Sequence, residues 1–147
     1  MRIVAISDTH LHKPDLPAGD LLVHAGDMTF RGQPQELRSV QSWFERIEKD
    51  FRYGILYIAG NHDLSHERDP EMAHLILTTG TYLQDSGVTI GGIKFWGTPW
   101  VKEFHGWAFM AEEEQLKEKF DLVPDDTDVL ICHGPAYGIR DLVTRPG

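Results

Sequence analysis

Apolar positions fall along this chain in two rhythms. Short unbroken runs, "RIVAIS" (2–7), "LLVHA" (21–25), "ILYIA" (55–59) and "DVLIC" (128–132), are β-rich and read as buried strands. "VTI" and "IKFWGT" flank Gly91-Gly92, a two-residue turn signal that predicts a hairpin. Between 35 and 49 the rhythm changes. Leu37, Val40, Trp43, Phe44 and Ile47 recur at three- and four-residue steps, the mark of a one-sided helix. "DPEMAHLILTTG" (69–80) predicts a second helix, with Asp69 as N-cap, Pro70 in the first turn and Gly80 as the stop. "AEEEQLKEKF" (111–120) predicts a third, charged outside, with Leu116 and Phe120 on one face. Strands interleaved with helices over 147 residues predict one α/β domain, 1–147.

The residues just past each apolar run carry the chemistry. "IVAIS" leads into Asp8-Thr9-His10, "LLVHAG" into Asp27, "ILYIAG" into Asn61-His62-Asp63 and "DVLIC" into His133. If these four strands are parallel neighbours, their carboxyl ends bring the polar groups to one rim, where open α/β sheets hold ligands. Gly26, Gly60 and Gly134 fit tight turns or close backbone approach at such a rim. Two carboxylates, two or three imidazoles and one amide suit divalent manganese, iron, zinc or magnesium. The lack of thiolates argues against a structural zinc cage. Asp8 and His10, two apart, can leave the first strand on one side and grip one ion together, giving a dinuclear centre.

Charge narrows the partners. With 23 acidic against 14 basic side chains, the formal charge is −9, which argues against a broad basic face for duplex nucleic acid. A small phosphate-bearing substrate stays compatible, because carboxylates that gather metal ions create a locally positive site. The single cysteine, Cys132, permits no intrachain disulfide, and the apolar start ends at Asp8, too short for a signal segment or a membrane span. The expectation is a cytoplasmic protein without membrane contact.

"SDTH", "AGDM", "AGNHD" and "CHGPAYG" resemble, in order, the motifs of the calcineurin-like metallophosphoesterases. The "GTPW" and "GWAF" segments look most like its small metallophosphoesterase-domain branch, and the resemblance covers nearly the whole chain. It implies an αββα fold, a β-sandwich flanked by helices. It implies two divalent metals, manganese foremost: Asp8 and His10 on the first, Asp27 bridging, Asn61 and His133 on the second. His62 would give a proton or hydrogen bond to the ester oxygen, with Asp63 orienting it. The activity implied is hydrolysis of phosphoesters, nucleotide-like phosphodiesters foremost, by a hydroxide that two metals activate. The chain stops at "RDLVTRPG", before the family's G-H-x-H motif. The expectation is a C-terminally truncated domain with one histidine fewer per metal, lower activity, and an exposed sheet edge that a second copy could cover. The alternative is a nucleotide- or metal-binding module with little turnover.

Other histidines have blander readings. His62 and His66 in "HDLSH" have the spacing of a zinc-peptidase pair. His66, His74 and His105 otherwise read as surface or packing residues, His12 as a solvated loop residue, and His24 as a hydrogen-bonded core residue. Trp96, Trp100, Phe104, Trp107 and Phe109 read first as packing, and second as a wall that stacks a nucleobase.

Overall fold

The computed structural model describes residues 1–136 and 139. The last two residues of "CHGPAYG" (137 and 138) and all of "RDLVTRPG" (140–147) therefore lie outside the described residues. Two sheets face each other. The first is entirely parallel, in the order β1 (Ile3–Ile6), β2 (Leu21–Ala25), β3 (Ile55–Ile58) and β4 (Thr81–Tyr82). The second, in the order β5-β6-β9, joins the antiparallel hairpin of β5 (Ser86–Ile90) and β6 (Ile93–Thr98) to a parallel β9 (Val129–Cys132). Gly91 and Gly92 turn the hairpin with φ of 57° and 82°, as a turn with two left-handed positions requires. A short ribbon of β7 (Val101–Lys102) and β8 (Met110–Ala111) follows.

The alternation of side chains divides the core into two layers. Leu22 and Tyr57 point to the outer face of the first sheet, where Val40, Trp43 and Phe44 of α1 (Pro34–Ile47) cover them. Leu21, Val23, Leu56 and Ile58 point inward and meet Phe95 and Ile131 of the second sheet. Central strands buried on both faces read as unbroken apolar runs, and this is why β2 and β3 are plain in the sequence.

β9 departs from expectation. It is not a neighbour of the first three strands but an edge of the second sheet, paired only to β6 among the described residues. "DVLIC" looks continuous, yet only Ile131 of β9 is buried and Leu130 is 41% exposed. One covered face is the signature of an outer layer. His133 thus reaches the rim from across the sandwich.

The helices follow the caps. Asp69 accepts the Met72 N–H at 3.2 Å and opens α3 (Pro70–Ile76). That helix stops short of the predicted Gly80 because Gln41 Oε1 accepts the N–H groups of Thr78 and Thr79, tying the chain to α1. The third predicted helix forms as α4 (Glu113–Phe120). One short turn of helix, α2 (Leu64–Arg68), has no signal in the apolar pattern. Among the described residues no helix is long and apolar enough to cross a membrane.

Candidate metal centre

Two loops at the rim of the first sheet are laced together by their backbones. Past β1, the N–H groups of Asp8, His10 and Leu11 donate to the carbonyls of Gly26, Asp27 and Met28 at 2.9, 3.0 and 2.9 Å. Asp8, His10 and Asp27 all take left-handed backbone, with φ of 52°, 42° and 56°. Such conformations cost about 1 kcal/mol or more apiece and collect at functional sites. Asp8 and His10 therefore leave a curled loop rather than one side of a strand.

Asp27, 3% exposed, sits at the centre. Its Oδ1 accepts the His62 N–H at 2.8 Å and lies 3.4 Å from His133 Nε2, while Oδ2 lies 3.7 Å from His10 Nε2. Gly60 makes room for this: a Cβ there would come within 2.3 Å of Asp27 Oδ1 and 2.7 Å of His133 Cε1. Gly26 turns at φ 96°, whereas Gly134 takes no left-handed backbone and a Cβ there would lie 3.2 Å from Val101 Cγ1.

The three rim imidazoles share one device. Nδ1 of His10, His62 and His133 meets the carbonyl oxygen of Thr29, Phe30 and Ala25 at 2.9, 2.9 and 2.8 Å. A carbonyl only accepts, so Nδ1 carries the hydrogen and Nε2 of the neutral ring offers a lone pair. That of His133 faces Asn61 Oδ1 at 3.0 Å as well as Asp27. Acceptors aimed at one another are stable only around a proton or a cation. Without metal a proton serves. Burial opposes charge on His133, but the hydrogen bond and field of Asp27 outweigh it, and the imidazole is pushed up to about 9. On Asp27 burial pushes the carboxyl upward, and the contacts to His133 and His62 more than reverse this, holding it below its usual range.

Ligand atoms within 4.8 Å of one another form two groups that share Asp27: His10, Asp27 and His62, and Asp8, Asp27 and His133. The donors fit divalent cations. The grouping differs from the expected one, since Asp8 falls with His133 and His10 with His62. Asn61 joins the second group through His133.

The expected contact between Asp63 and the His62 ring is not made. Asp63 is fully buried. Its Oδ1 accepts from Thr29 N–H at 2.9 Å and Thr29 Oγ1 at 2.8 Å, and its Oδ2 from Met28 N–H at 3.2 Å and Gly60 N–H at 2.9 Å. The residue after His62 faces inward, toward otherwise unpaired N–H groups, and clamps the loop after β2 to the loop after β3. The Phe30 carbonyl orients His62 instead, and a backbone atom leaves no signature in a sequence. Glu36 of α1 holds that segment by accepting from the N–H groups of Phe30, Arg31 and Gln33.

Trp107 packs against the His62 ring at 4.1 Å between centroids, so one member of the aromatic-rich loop reaches the site. Phe109 is fully buried, with Trp100 edge-on at 5.6 Å, as packing predicts. His66 turns away from His62. It is 1% exposed among Tyr57 and Tyr82 and belongs to neither ligand group, which removes the zinc-peptidase pair. His24 is a core residue as expected, with Nε2 on Thr9 Oγ1 at 2.9 Å and Nδ1 accepting the Gly26 N–H at 3.3 Å. His12 and His105 are exposed.

Comparison with known proteins bears on this geometry. The family described as calcineurin-like phosphoesterase matches residues 1–146. Metallophosphoesterase domain-containing protein 1 of Homo sapiens is 34% identical over 170 residues, which take in 98% of this chain and 51% of that protein. A UPF0046 protein of Caenorhabditis elegans is 39% identical over 158 residues, 96% of this chain and 53% of that protein. The chain thus spans about half the length of these relatives. With a match that runs over nearly every residue, the chain belongs to the calcineurin-like phosphoesterase family.

Proposed function

We propose that this rim hydrolyses phosphoesters, phosphodiesters foremost, with two divalent cations, manganese favoured, held on Asp8, His10, Asp27, Asn61 and His133. The observation that carries the reading is the Asp27 carboxylate, which turns one oxygen toward His133 and the other toward His10. A paired divalent centre acidifies water and neutralises phosphoryl oxygens.

The chain's own residues do the rest. Thr29, Ala25 and Phe30 carbonyls hold the imidazoles with Nε2 toward the site. The curled loops fix Asp8 and Asp27 before any ligand arrives, so little reorganisation remains to be done on binding. His62, pinned at Nδ1 and packed by Trp107, presents Nε2 at the rim. In its protonated form that nitrogen donates to the ester oxygen and assists departure of the alcohol.

The test is hydrolysis of bis(p-nitrophenyl) phosphate as manganese is titrated into the full chain. Turnover that requires manganese and falls about 100-fold in His62→Ala, with metal affinity retained, supports the reading. Manganese and nucleotide binding without turnover would replace it with the binding module.

A further inference from the structure

Beside the rim lies a cavity of about 540 Å³. Asn61 and His133 line it at the metal centre, while Trp100, Val101, Leu116 and Phe120 give it apolar walls. Lys102 is the one Lys, Arg, Asp or Glu among the described lining residues. Phe120 remains 38% exposed, and Phe104, also on the lining, 56%. Aromatic surface grouped in a concavity and left in water is a binding feature rather than scattered exposure.

The two walls come from different parts of the chain and share one anion. Asp85 Oδ2 accepts from Trp100 Nε1 at 2.9 Å and from Lys119 Nζ at 3.1 Å, and Asp85 Oδ1 accepts from Thr98 Oγ1 at 2.8 Å. Lys119 also lies over the Trp100 ring, 4.4 Å from its centroid. Trp100 belongs to one wall, and Lys119 to α4, which supplies Leu116 and Phe120 to the other. Asp85 itself takes φ 46° to reach both. The width of the cavity is therefore set by the fold before a ligand enters, which lowers the ordering cost of binding.

We propose that this cavity seats a planar, apolar one- or two-ring group joined to the phosphate through an ester oxygen. Asn61 and His133 lie on both the cavity and the metal centre, so a ring held there places its phosphate at the rim. The volume lies within the span of small-molecule sites, roughly 300–1,000 Å³, and suits one or two rings. Anionic and strongly hydrated substituents gain nothing from walls of Trp100, Leu116 and Phe120. This inference rests on the proposal that phosphate binds at the rim.

Calorimetry on the manganese-loaded full chain tests it, with phenylphosphonate and methylphosphonate as probes. Phenylphosphonate is expected to bind about 10-fold tighter, the return from burying one ring. In Leu116→Asn the ratio is expected to fall to about twofold or less. Phe120→Ser, at a more exposed position, serves as the second variant if Leu116→Asn does not fold. Equal affinity for the two phosphonates in the unaltered chain overturns the cavity and leaves the rim proposal standing. A preference for phenylphosphonate that Leu116→Asn removes, in a chain that hydrolyses nothing, upholds the cavity and defeats the hydrolase. Binding of neither probe overturns both.

Discussion

The histidines of the rim and those of the core use the same side chain in opposite ways. His10, His62 and His133 each give Nδ1 to a backbone carbonyl and leave Nε2 toward Asp27 and its neighbours. His24 spends both nitrogens inside the protein, on Thr9 and on the Gly26 N–H. Exposure does not separate the groups: His133 retains only 6% of its side-chain exposure, close to a core residue. What separates them is what the second nitrogen faces. At the rim it faces oxygen acceptors, an arrangement that asks for a cation; in His24 it faces a hydroxyl that can either donate or accept.

The harshest way to break this contrast is to remove the anion the rim shares. Asp27→Asn keeps the size of the side chain but takes away its charge, which the imidazoles of His10, His62 and His133 surround. Manganese binding by calorimetry should fall below detection, and any phosphodiesterase turnover should fall about 1,000-fold or more. Retained binding would mean that the two ligand groups do not depend on their common member.

A second break distinguishes a clamp from a catalytic partner. Asp63 takes four hydrogen bonds while buried, so Asp63→Asn sets an amide N–H₂ against donors that need an acceptor. The expected loss is about 3 kcal/mol of stability, seen as a fall in Tm of about 6–12 °C for a domain of this size. Were Asp63 the partner of His62, the melt would barely move and the pH profile of activity would shift instead.

Titration sharpens the contrast by sign. Burial lowers the His24 pKa to about 4, beyond what the nearby carboxylates restore. The unfolded chain takes up this proton below about 6.5, while the folded chain refuses it until about 4. His24 thus makes stability full above pH 6.5 and diminishing as pH falls to 4, by about 3 kcal/mol in all. His133 slopes the other way. In the metal-free chain its pKa stands near 9, so its contribution is present below 6.5 and lost as pH rises through 9. Urea titrations should show both slopes without metal. If the rim holds metal as proposed, saturating manganese should erase the alkaline one and leave the acid one, because only the rim histidine would exchange its proton for an ion. An alkaline slope untouched by manganese would place His133 outside the metal site.

Some of this is legible in the sequence, and the rest is hidden for physical reasons. Strands buried on both faces announce themselves, so β2 and β3 and the polar groups after them are plain. The position of β9 is not, because a five-residue apolar run does not say which sheet it joins. Asp8, His10, Asp27, Asn61, His62 and His133 can be named because chemistry of that kind needs those side chains. Their tautomers cannot, because the carbonyls of Thr29, Phe30 and Ala25 fix them. Adjacency alone points Asp63 at His62, and adjacency in a turn says little about direction. Asp85 carries no mark in the sequence: it is one acidic residue among 23, and only its three partners single it out.

The gentlest intervention concerns the other core histidine. His66 is 1% exposed, and neither of its ring nitrogens has a hydrogen-bond partner among the described residues. Burial lowers its pKa, so it stands as a neutral ring among Tyr57, Tyr82 and His74. Its backbone N–H bonds the Asp63 carbonyl, which a substitution leaves intact. His66→Phe keeps an aromatic ring of similar size and removes two unsatisfied polar atoms. The expected result is a gain of up to about 1 kcal/mol, or about 2–4 °C in Tm, with manganese affinity unchanged. A loss of more than about 2 kcal/mol would show that His66 bonds a buried water and is as fully satisfied as His24. The same change at His62 should do the reverse, sparing the fold and removing activity, because its ring is held for what lies outside the protein.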